Sequence, residues 1–312
     1  MPPHRLPRIF EVAVEVKVLN LRLRYFIKII SLRNSIMGQT SICCSICGSK
    51  QSLSLKDKIL KMYECNACNH AFCISTKTGK FNYTNDYYED THANWFDHPN
   101  YWLFDFIYSN VCRLKKEQGL RVLDIGCGKG DFLKFLKKKV MDVELWGIDL
   151  SDNQFPGINF IKGDFLEKSF DVKFDVVCSL AAIEHVADVR LFIKKIKHIL
   201  MPQAIVVIMT DNTGGIFYRF ARILKRIGFK TPFYSLYEVA HLQAFTNKSL
   251  KILMDLEGWA IISQTNHNYP VEAVNLPKTT PFMKYFYLLG IRILFSLPRQ
   301  YGVLQTIICK NA

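Results

Sequence analysis

The sequence lacks any long uncharged apolar run. No stretch of about eighteen uncharged apolar residues occurs, so no membrane-spanning helix is expected. The N-terminal region is basic but has neither a clean apolar core nor a small-residue cleavage site, so no secretory signal is expected. Because 49% of the 312 residues are hydrophobic, global disorder is excluded. The expectation is a cytoplasmic chain with one full-size domain and a smaller module.

Two common nucleotide-binding signatures are missing from the glycine-rich segment of the chain. This segment predicts a strand, a tight turn and the start of a helix, and it reads Val122-Leu123-Asp124-Ile125-Gly126-Cys127-Gly128-Lys129-Gly130-Asp131. A dinucleotide fingerprint would need its third glycine at position 131, where the chain has Asp131. A P-loop ends in Gly-Lys-Ser/Thr, whereas Gly130 is followed by an aspartate. Both classes are therefore disfavoured.

The remaining pattern, Asp-x-Gly-x-Gly-x-Gly, resembles the first motif of class I S-adenosylmethionine (SAM) methyltransferases. In that family the glycine turn passes close to the amino-acid end of SAM. The resemblance therefore implies SAM as the cofactor, and its contacts at this turn would be Asp124, Gly126, Cys127, Gly128 and Gly130.

The strands that follow agree with this resemblance. A second strand ends at Asp149, nineteen residues after Gly130, which is about where nucleotide-binding folds place a carboxylate on the ribose hydroxyls. A third strand ends at Asp164-Phe165, the pair that flanks the adenine in the family; Leu150 and Leu180 complete the implied cofactor-binding set. Strands that alternate with helices indicate a parallel sheet. Residues 119–312 are predicted to form an α/β, Rossmann-like, seven-stranded methyltransferase domain.

Four cysteines precede this domain at metal-binding spacing. Cys44 and Cys47 form one C-x2-C pair, Cys65 and Cys68 form a second, and seventeen residues separate the pairs. Two such knuckles complete a tetrahedral, closed and hence structural zinc site. Residues 41–80 are therefore predicted to be a zinc ribbon that serves as a substrate-gripping surface, a dimer contact or a fold staple.

The resemblance extends over most of the chain. A zinc ribbon, an aromatic linker (81–118, with Tyr87-Tyr88 and Tyr101-Trp102) and a class I methyltransferase domain recur together in bacterial proteins. Ile183-Glu184-His185-Val186 resembles the ubiquinone-biosynthesis O-methyltransferases and their relatives, as do His241-Leu242 and Gly258-Trp259. The chain departs from that pattern at 201–204, where Met-Pro-Gln-Ala stands in place of the usual Pro-Gly-Gly turn.

Two histidines are the candidate catalytic residues. The pattern also predicts a fourth strand over 174–180, a helix over 188–200 and a fifth strand over 204–210. His185 follows the fourth strand, so it is predicted at the rim of the site as general base or acceptor-orienting group. His241 is the second candidate. The alternative is that His185 only packs against or hydrogen-bonds its own loop. No Asn/Asp-Pro-Pro-aromatic sequence follows the fourth strand, and no Pro-Cys pair stands there. These absences disfavour methylation of the exocyclic amines of bases and of cytosine C5, and they leave a ribose or guanine target open.

The expected reaction is methyl transfer from SAM to a hydroxyl of a small molecule, a sugar or a lipid-linked intermediate. A net charge of +14 keeps two alternatives open, an RNA methyltransferase and a peripheral contact with a membrane. A non-catalytic SAM-fold scaffold is a third. Residues 1–40 have no place in this architecture and are interpreted as a basic surface segment or as an over-extended reading frame. The acceptor and the oligomeric state do not follow from the sequence.

Overall fold

The fold is described from a computed structural model. The structure describes residues 42–74, 93–115, 119–153, 155–238, 240–274, 280–298 and 301–311. The predictions for residues 1–40 and for Tyr87-Tyr88 lie outside this part of the chain. From Cys43 onward the chain forms one compact unit.

The described residues form two sheets. In chain order the strands are β1 (Leu53–Asp57), β2 (Met62–Cys65), β3 (Ala71–Cys73), β4 (Leu120–Ile125), β5 (Val143–Asp149), β6 (Asn159–Lys162), β7 (Phe174–Leu180), β8 (Leu200–Asp211), β9 (Gln243–Ala244), β10 (Ala260–His267) and β11 (Leu304–Lys310). The helices are α1 (Ala93–Asp97), α2 (Tyr101–Leu114), α3 (Asp131–Lys139), α4 (Val189–His198), α5 (Ile216–Arg226), α6 (Thr231–Leu236), α7 (Asn247–Leu256) and α8 (Pro281–Phe295).

The larger sheet has seven strands in the order β10-β11-β8-β7-β4-β5-β6. Strands β4 to β8 pair in parallel, whereas β11 runs antiparallel to both β8 and β10. The predicted α/β, Rossmann-like seven-stranded fold is confirmed. The chain order reverses at β4, which places its carboxyl end between those of β5 and β7, where open α/β sheets bind ligands.

Both faces of this sheet are buried, which explains its near-continuous apolar strands. Along β4, Val122 and Leu123 enter different hydrophobic clusters because successive side chains point to opposite faces. One cluster contains the apolar faces of α4 and α7, and the other contains those of α2 and α3. The side chains of residues 204–208 in β8 are fully buried. This core fixes the strand ends that carry the candidate site.

The smaller sheet has the order β1-β2-β3-β9, and its last strand comes from the part of the chain that forms the larger sheet. Ala71 pairs with Ala244 in an antiparallel register. Buried residues of the cysteine module, among them Ile46 and Phe72, share a hydrophobic cluster with Phe245. A module of about 40 residues buries too little apolar surface to be stable alone. Strand β9 and the shared hydrophobic cluster supply the missing contacts.

Position 203 offers a simple test of the backbone. Gln203 is exposed and has a φ of 58°, in the left-handed region that favours glycine. We expect Gln203→Gly to raise the free energy of unfolding by about 0.5–1 kcal/mol, measured by urea denaturation. Gln203→Ala keeps the steric conflict and is expected to give no gain. A loss of stability in the glycine variant would contradict the left-handed conformation at this position.

Candidate active site

The glycine turn lies at the carboxyl end of β4, as predicted. Gly126, Gly128 and Gly130 have positive φ values of 72°, 51° and 71°. A Cβ added at Gly126 would lie 2.6 Å from the Cβ of Ala182, so the turn closely approaches the loop that follows β7. Cys127, which belongs to the same predicted set, is buried, and its carbonyl accepts a hydrogen bond from the Gly130 amide at 2.8 Å.

Asp124, at the same strand end, is buried without a complete set of partners. Its side chain is 3% exposed, and Oδ1 has no hydrogen-bond partner among the described residues. Burial, followed by the charges of Asp149 and Asp131, raises the pKa of this carboxyl well above its ordinary value. A cationic ligand group would relieve this cost. The site therefore fits SAM, which carries an ammonium group and a sulfonium.

Asp149, at the end of β5, is hydrogen-bonded to the glycine turn. One of its carboxylate oxygens accepts from the Gly128 amide at 2.9 Å, and the other accepts from the amide and hydroxyl of Ser151 at 2.8 and 2.6 Å. The carboxylate thus lies at the ligand-binding edge between β4 and β5, beside Asp124. Its contact with the ribose hydroxyls of SAM stays a prediction.

The remaining residues of the predicted cofactor set follow the neighbouring strands. Leu150, after β5, is 42% exposed, and Leu180 ends β7 half-buried. Asp164 accepts a hydrogen bond from the Leu166 amide at 2.8 Å. Phe165 is 5% exposed, and its ring centroid lies 5.3 Å from that of Phe192 in the core. The structure brings all of them to one edge of the sheet but places the ring of Phe165 inward.

The two candidate histidines lie in contact. The ring centroids of His185 and His241 are 4.8 Å apart, and His241 Nδ1 lies 3.1 Å from Asp211 Oδ2. Glu184, 2% exposed, accepts a hydrogen bond from the Thr210 hydroxyl at 2.8 Å. Its carboxylate and the two imidazoles have ligand-type atoms within 4.8 Å of one another, a spacing that also suits a divalent cation.

Two acidic members of this cluster are absent from the predicted site. Glu184 directly precedes His185, and Asp211 stands at the carboxyl end of the strand predicted over 204–210. The strand-end rule that selected Asp124 and Asp149 could also have selected Asp211. No comparable signal pairs Asp211 with His241, because the two residues are thirty positions apart in the sequence.

The acidic neighbours of His241 set its pKa. Burial alone would lower the pKa of His241, but the hydrogen bond to Asp211 and the charges of Asp211, Glu184 and Glu238 raise it to about 9. His241 is therefore an imidazolium at neutral pH. Burial raises the pKa of Glu184 to about 7, against the opposing charge of His241.

The raised pKa of His241 contributes to the stability of the fold in a way that depends on pH. Since the folded-state pKa of His241 exceeds the unfolded value of about 6.5, the contribution is fully present below that pH. It is lost as the pH rises through about 9.

The hydrogen bond to Ala240 fixes which ring nitrogen of His185 carries a proton. Its Nδ1 lies 3.1 Å from the carbonyl oxygen of Ala240, and because a carbonyl can only accept, Nδ1 carries the proton. In a neutral imidazole the other nitrogen, Nε2, then has the lone pair. Of the two histidines, His185 is the one equipped to take a proton.

The four predicted metal ligands converge. Cys44 Sγ lies 3.5 Å from Cys68 Sγ, and Cys47 Sγ lies 3.6 Å from Cys65 Sγ; all four sulfurs are within 4.8 Å of one another. Zinc–sulfur bonds of about 2.3 Å in a tetrahedron put sulfurs about 3.8 Å apart. The cluster therefore fits a structural zinc ion.

Metal content tests this site directly. We expect the native chain to bind about one zinc ion and Cys65→Ser to lose most of it, because a hydroxyl is a poor replacement for a thiolate ligand. Cys43→Ser is the matched control, since Cys43 is exposed and adjacent to the cluster without belonging to it. Elemental analysis after dialysis measures both. Equal zinc loss in the two variants would contradict the assignment.

Comparison with known proteins adds an independent finding. A family model described as "Methyltransferase domain" matches residues 100–264, just over half of the chain. Malonyl-[acyl-carrier protein] O-methyltransferase of Calditerrivibrio nitroreducens is 37% identical over 84 residues, which cover 26% of this chain and 34% of that protein. Ubiquinone biosynthesis O-methyltransferase of Azorhizobium caulinodans is 32% identical over 112 residues, covering 32% of this chain and 43% of the relative. The similarity thus spans less than half of these curated relatives.

Solved structures are similar over a larger part of the chain. The plantazolicin methyltransferase BpumL in complex with SAH covers 73% of this chain and 89% of its own, at 17% identity and a TM-score of 0.48. A SAM-dependent methyltransferase from Archaeoglobus fulgidus covers 72% of this chain and 100% of its own, at 18% identity and a TM-score of 0.46.

Proposed function

This chain belongs to the methyltransferase domain family, and we propose on that basis that it transfers a methyl group from SAM to a hydroxyl group. The observation that carries the proposal is the contact between His185 and His241, beside the loop that approaches the glycine turn. The acceptor is a small molecule, a sugar or a lipid-linked intermediate. Two partial relatives named as O-methyltransferases support the choice of oxygen.

The roles of the residues follow from their surroundings. Asp124 and the glycine turn hold SAM, which supplies an electrophilic methyl group when bound. Nε2 of His185 accepts the proton of the acceptor hydroxyl. The imidazolium of His241, oriented by Asp211, stabilises the negative charge that develops on the acceptor oxygen.

The cleft beside His241 fits an acceptor of mixed character. Its polar end contains Asp211, Glu238 and His241, while its walls include the apolar side chains of Leu60 and Met62. This mixed lining has the composition of a small-molecule site, in which apolar side chains bind the body of a ligand and a few polar groups orient it.

Methyl transfer to fractionated host extract tests the proposal. SAM with a labelled methyl group is supplied to the native protein and to Asp124→Asn, and label is counted in small-molecule, glycan, lipid and RNA fractions. Label that requires the native protein and enters one of the first three fractions supports the proposal. Label in RNA would instead favour an RNA methyltransferase, whose RNA affinity should fall steeply with salt. Binding of SAM without label anywhere would favour a scaffold.

We further propose that the chain contacts anionic membranes peripherally. In the described part of the chain, no helix combines the length and the apolar character needed to cross a membrane. Two helices nevertheless expose large apolar side chains: Phe220 and Ile223 of α5 are 59% and 53% exposed, and Phe282 and Ile293 of α8 are 70% and 61% exposed. The helices meet where the ring centroids of Phe217 and Phe295 lie 5.5 Å apart. Exposed cations on and just after α5 complement an anionic surface; they are Arg219, Arg226 and Lys230.

Vesicle sedimentation tests this contact. The native chain is expected to sediment with phosphatidylglycerol vesicles and to stay in solution with phosphatidylcholine vesicles. Phe220→Ser with Ile223→Ser should weaken sedimentation, whereas Leu191→Ser, at an apolar site on α4 that is 49% exposed, should not. Equal sedimentation of all three proteins would contradict the assigned surface.

A further inference from the structure

One buried amide joins the cysteine module to the candidate catalytic loop. The side chain of Gln243, 4% exposed, donates from Nε2 to the carbonyl oxygens of Val186 and Ala187 at 2.9 and 3.1 Å. Its Oε1 accepts from the Ser45 hydroxyl at 2.9 Å and lies 2.8 Å from His70 Nε2. Ser45 lies between the cysteines of the first pair, and His70 lies two residues after the second pair.

The orientation of this amide is determined by its partners. Two carbonyl oxygens can only accept, so Nε2 must face them and Oε1 must face the module. His70 consequently donates from Nε2, because an amide oxygen has no proton to give. Both donors and both acceptor sites of Gln243 are used. A buried amide in this condition is rigid, since any rotation would break hydrogen bonds that no solvent replaces.

The backbone around Gln243 makes the same connection. Phe72 of β3 pairs with Gln243, and the Cys73 amide donates to the carbonyl of Leu242 at 2.8 Å. On the other side, the Leu242 amide donates to the carbonyl of Glu184 at 2.8 Å. The segment from His241 to Ala244 thus lies between the module and the loop that carries Glu184 and His185.

The module also reaches the acceptor side of the site. Leu60, Met62 and Cys73 line the same cleft as His241 and Asp211. A cysteine module that only stabilised the fold would not need to contribute side chains to this cleft.

We propose that the cysteine module helps to form the acceptor site. Gln243 is the positioning residue through which the module fixes the loop of residues 183–187. The inference rests on the proposed methyl transfer. Ser45 and His70 hold the amide oxygen of Gln243, and the amide nitrogen holds the loop carbonyls next to His185. Loss of this amide displaces His185 and leaves the SAM side of the site intact.

The test compares Gln243→Met with Gln264→Met in the full zinc-loaded chain. Methionine matches glutamine in length but makes none of the four hydrogen bonds. Gln264 is a half-buried glutamine that donates to Asn247 and Gln305, away from the module. For Gln243→Met we expect kcat to fall roughly 10- to 100-fold through misplacement, with SAM affinity and zinc content within about twofold of native. The Gln264 variant should keep native kcat.

Hydrogen–deuterium exchange provides a readout that does not depend on activity. The peptide covering residues 183–187 should exchange faster in Gln243→Met than in the native chain, at unchanged zinc content. Unchanged kcat and unchanged exchange in a folded Gln243 variant would overturn the proposal.

A second variant covers the case in which Gln243→Met fails to fold. Ser45→Ala removes one donor to the amide oxygen and should raise exchange in the same peptide, with a decrease in kcat of about threefold. Native exchange in that variant overturns the proposal. If the native chain transfers no methyl group at all, the proposed function fails, whereas the exchange data still decide the coupling.

Discussion

Replacing His185 with glutamine is expected to lower kcat by about 10²- to 10⁴-fold while SAM affinity stays within about twofold of native. Glutamine can still donate to the Ala240 carbonyl, but it has no nitrogen that accepts a proton near neutral pH. Steady-state kinetics and a SAM titration separate the two effects. The native rate should also decrease on acidification as its base becomes protonated, and the variant should lack that decrease.

The matched control is His198→Gln, at the exposed end of α4. It should keep the native rate and the native pH profile. Elemental analysis of the native and His185→Gln proteins separates a metal role from a proton role, because the spacing of Glu184, His185 and His241 suits either. A metal ion beyond the structural zinc that is lost in the variant would indicate a metal ligand. A His185→Gln variant with more than about one tenth of native kcat would exclude its role as general base.

Replacing Asp124 with asparagine is expected to weaken SAM binding by roughly 100-fold or more, because a charge partner of a buried cation is worth about 3 kcal/mol. The same change should stabilise the ligand-free protein. Its carboxylate is buried at 3% exposure, and Oδ1 has no hydrogen-bond partner among the described residues, so removing the charge removes a desolvation cost. SAM titration and urea denaturation at neutral pH measure the two opposite effects.

The pH dependence of this gain has a defined sign. The folded-state pKa of Asp124 lies above its unfolded value of about 3.9, so its ionisation destabilises the native fold increasingly as the pH rises above that value. The stability advantage of Asp124→Asn should therefore shrink on acidification. Asp171→Asn, at an exposed position, should change neither SAM affinity nor stability. A native-like SAM affinity in Asp124→Asn would show that the cofactor is held elsewhere.

The sequence alone was sufficient to predict the larger sheet and its ligand-binding edge. The strand over 174–180 is predicted with its observed bounds, and the helix predicted over 188–200 is observed over 189–198, with Asp188 accepting a hydrogen bond from the Leu191 amide. Local periodicity and strand-end acids carry this information, because each depends on neighbouring residues only.

The candidate catalytic cluster and the contact with the cysteine module could not be predicted in the same way. Glu184, Asp211 and His241 come from three separate segments, and only the packing of those segments brings their side chains together. Strand β9 has two residues and no alternating pattern of its own. In the sequence, nothing distinguishes Gln243 from other polar residues. Only the folded chain places its amide between Ser45 and Val186.

The shared strand β9 has a consequence for how such a chain can be divided or recombined. A fragment that began after β3 would expose the edge of β9, leave the amide oxygen of Gln243 without Ser45 and His70, and uncover Phe245. An unpaired edge next to an exposed aromatic ring favours aggregation. The cysteine module is therefore not an interchangeable cassette: grafting it onto another methyltransferase would require the recipient to provide a matching strand and a matching amide at the same place.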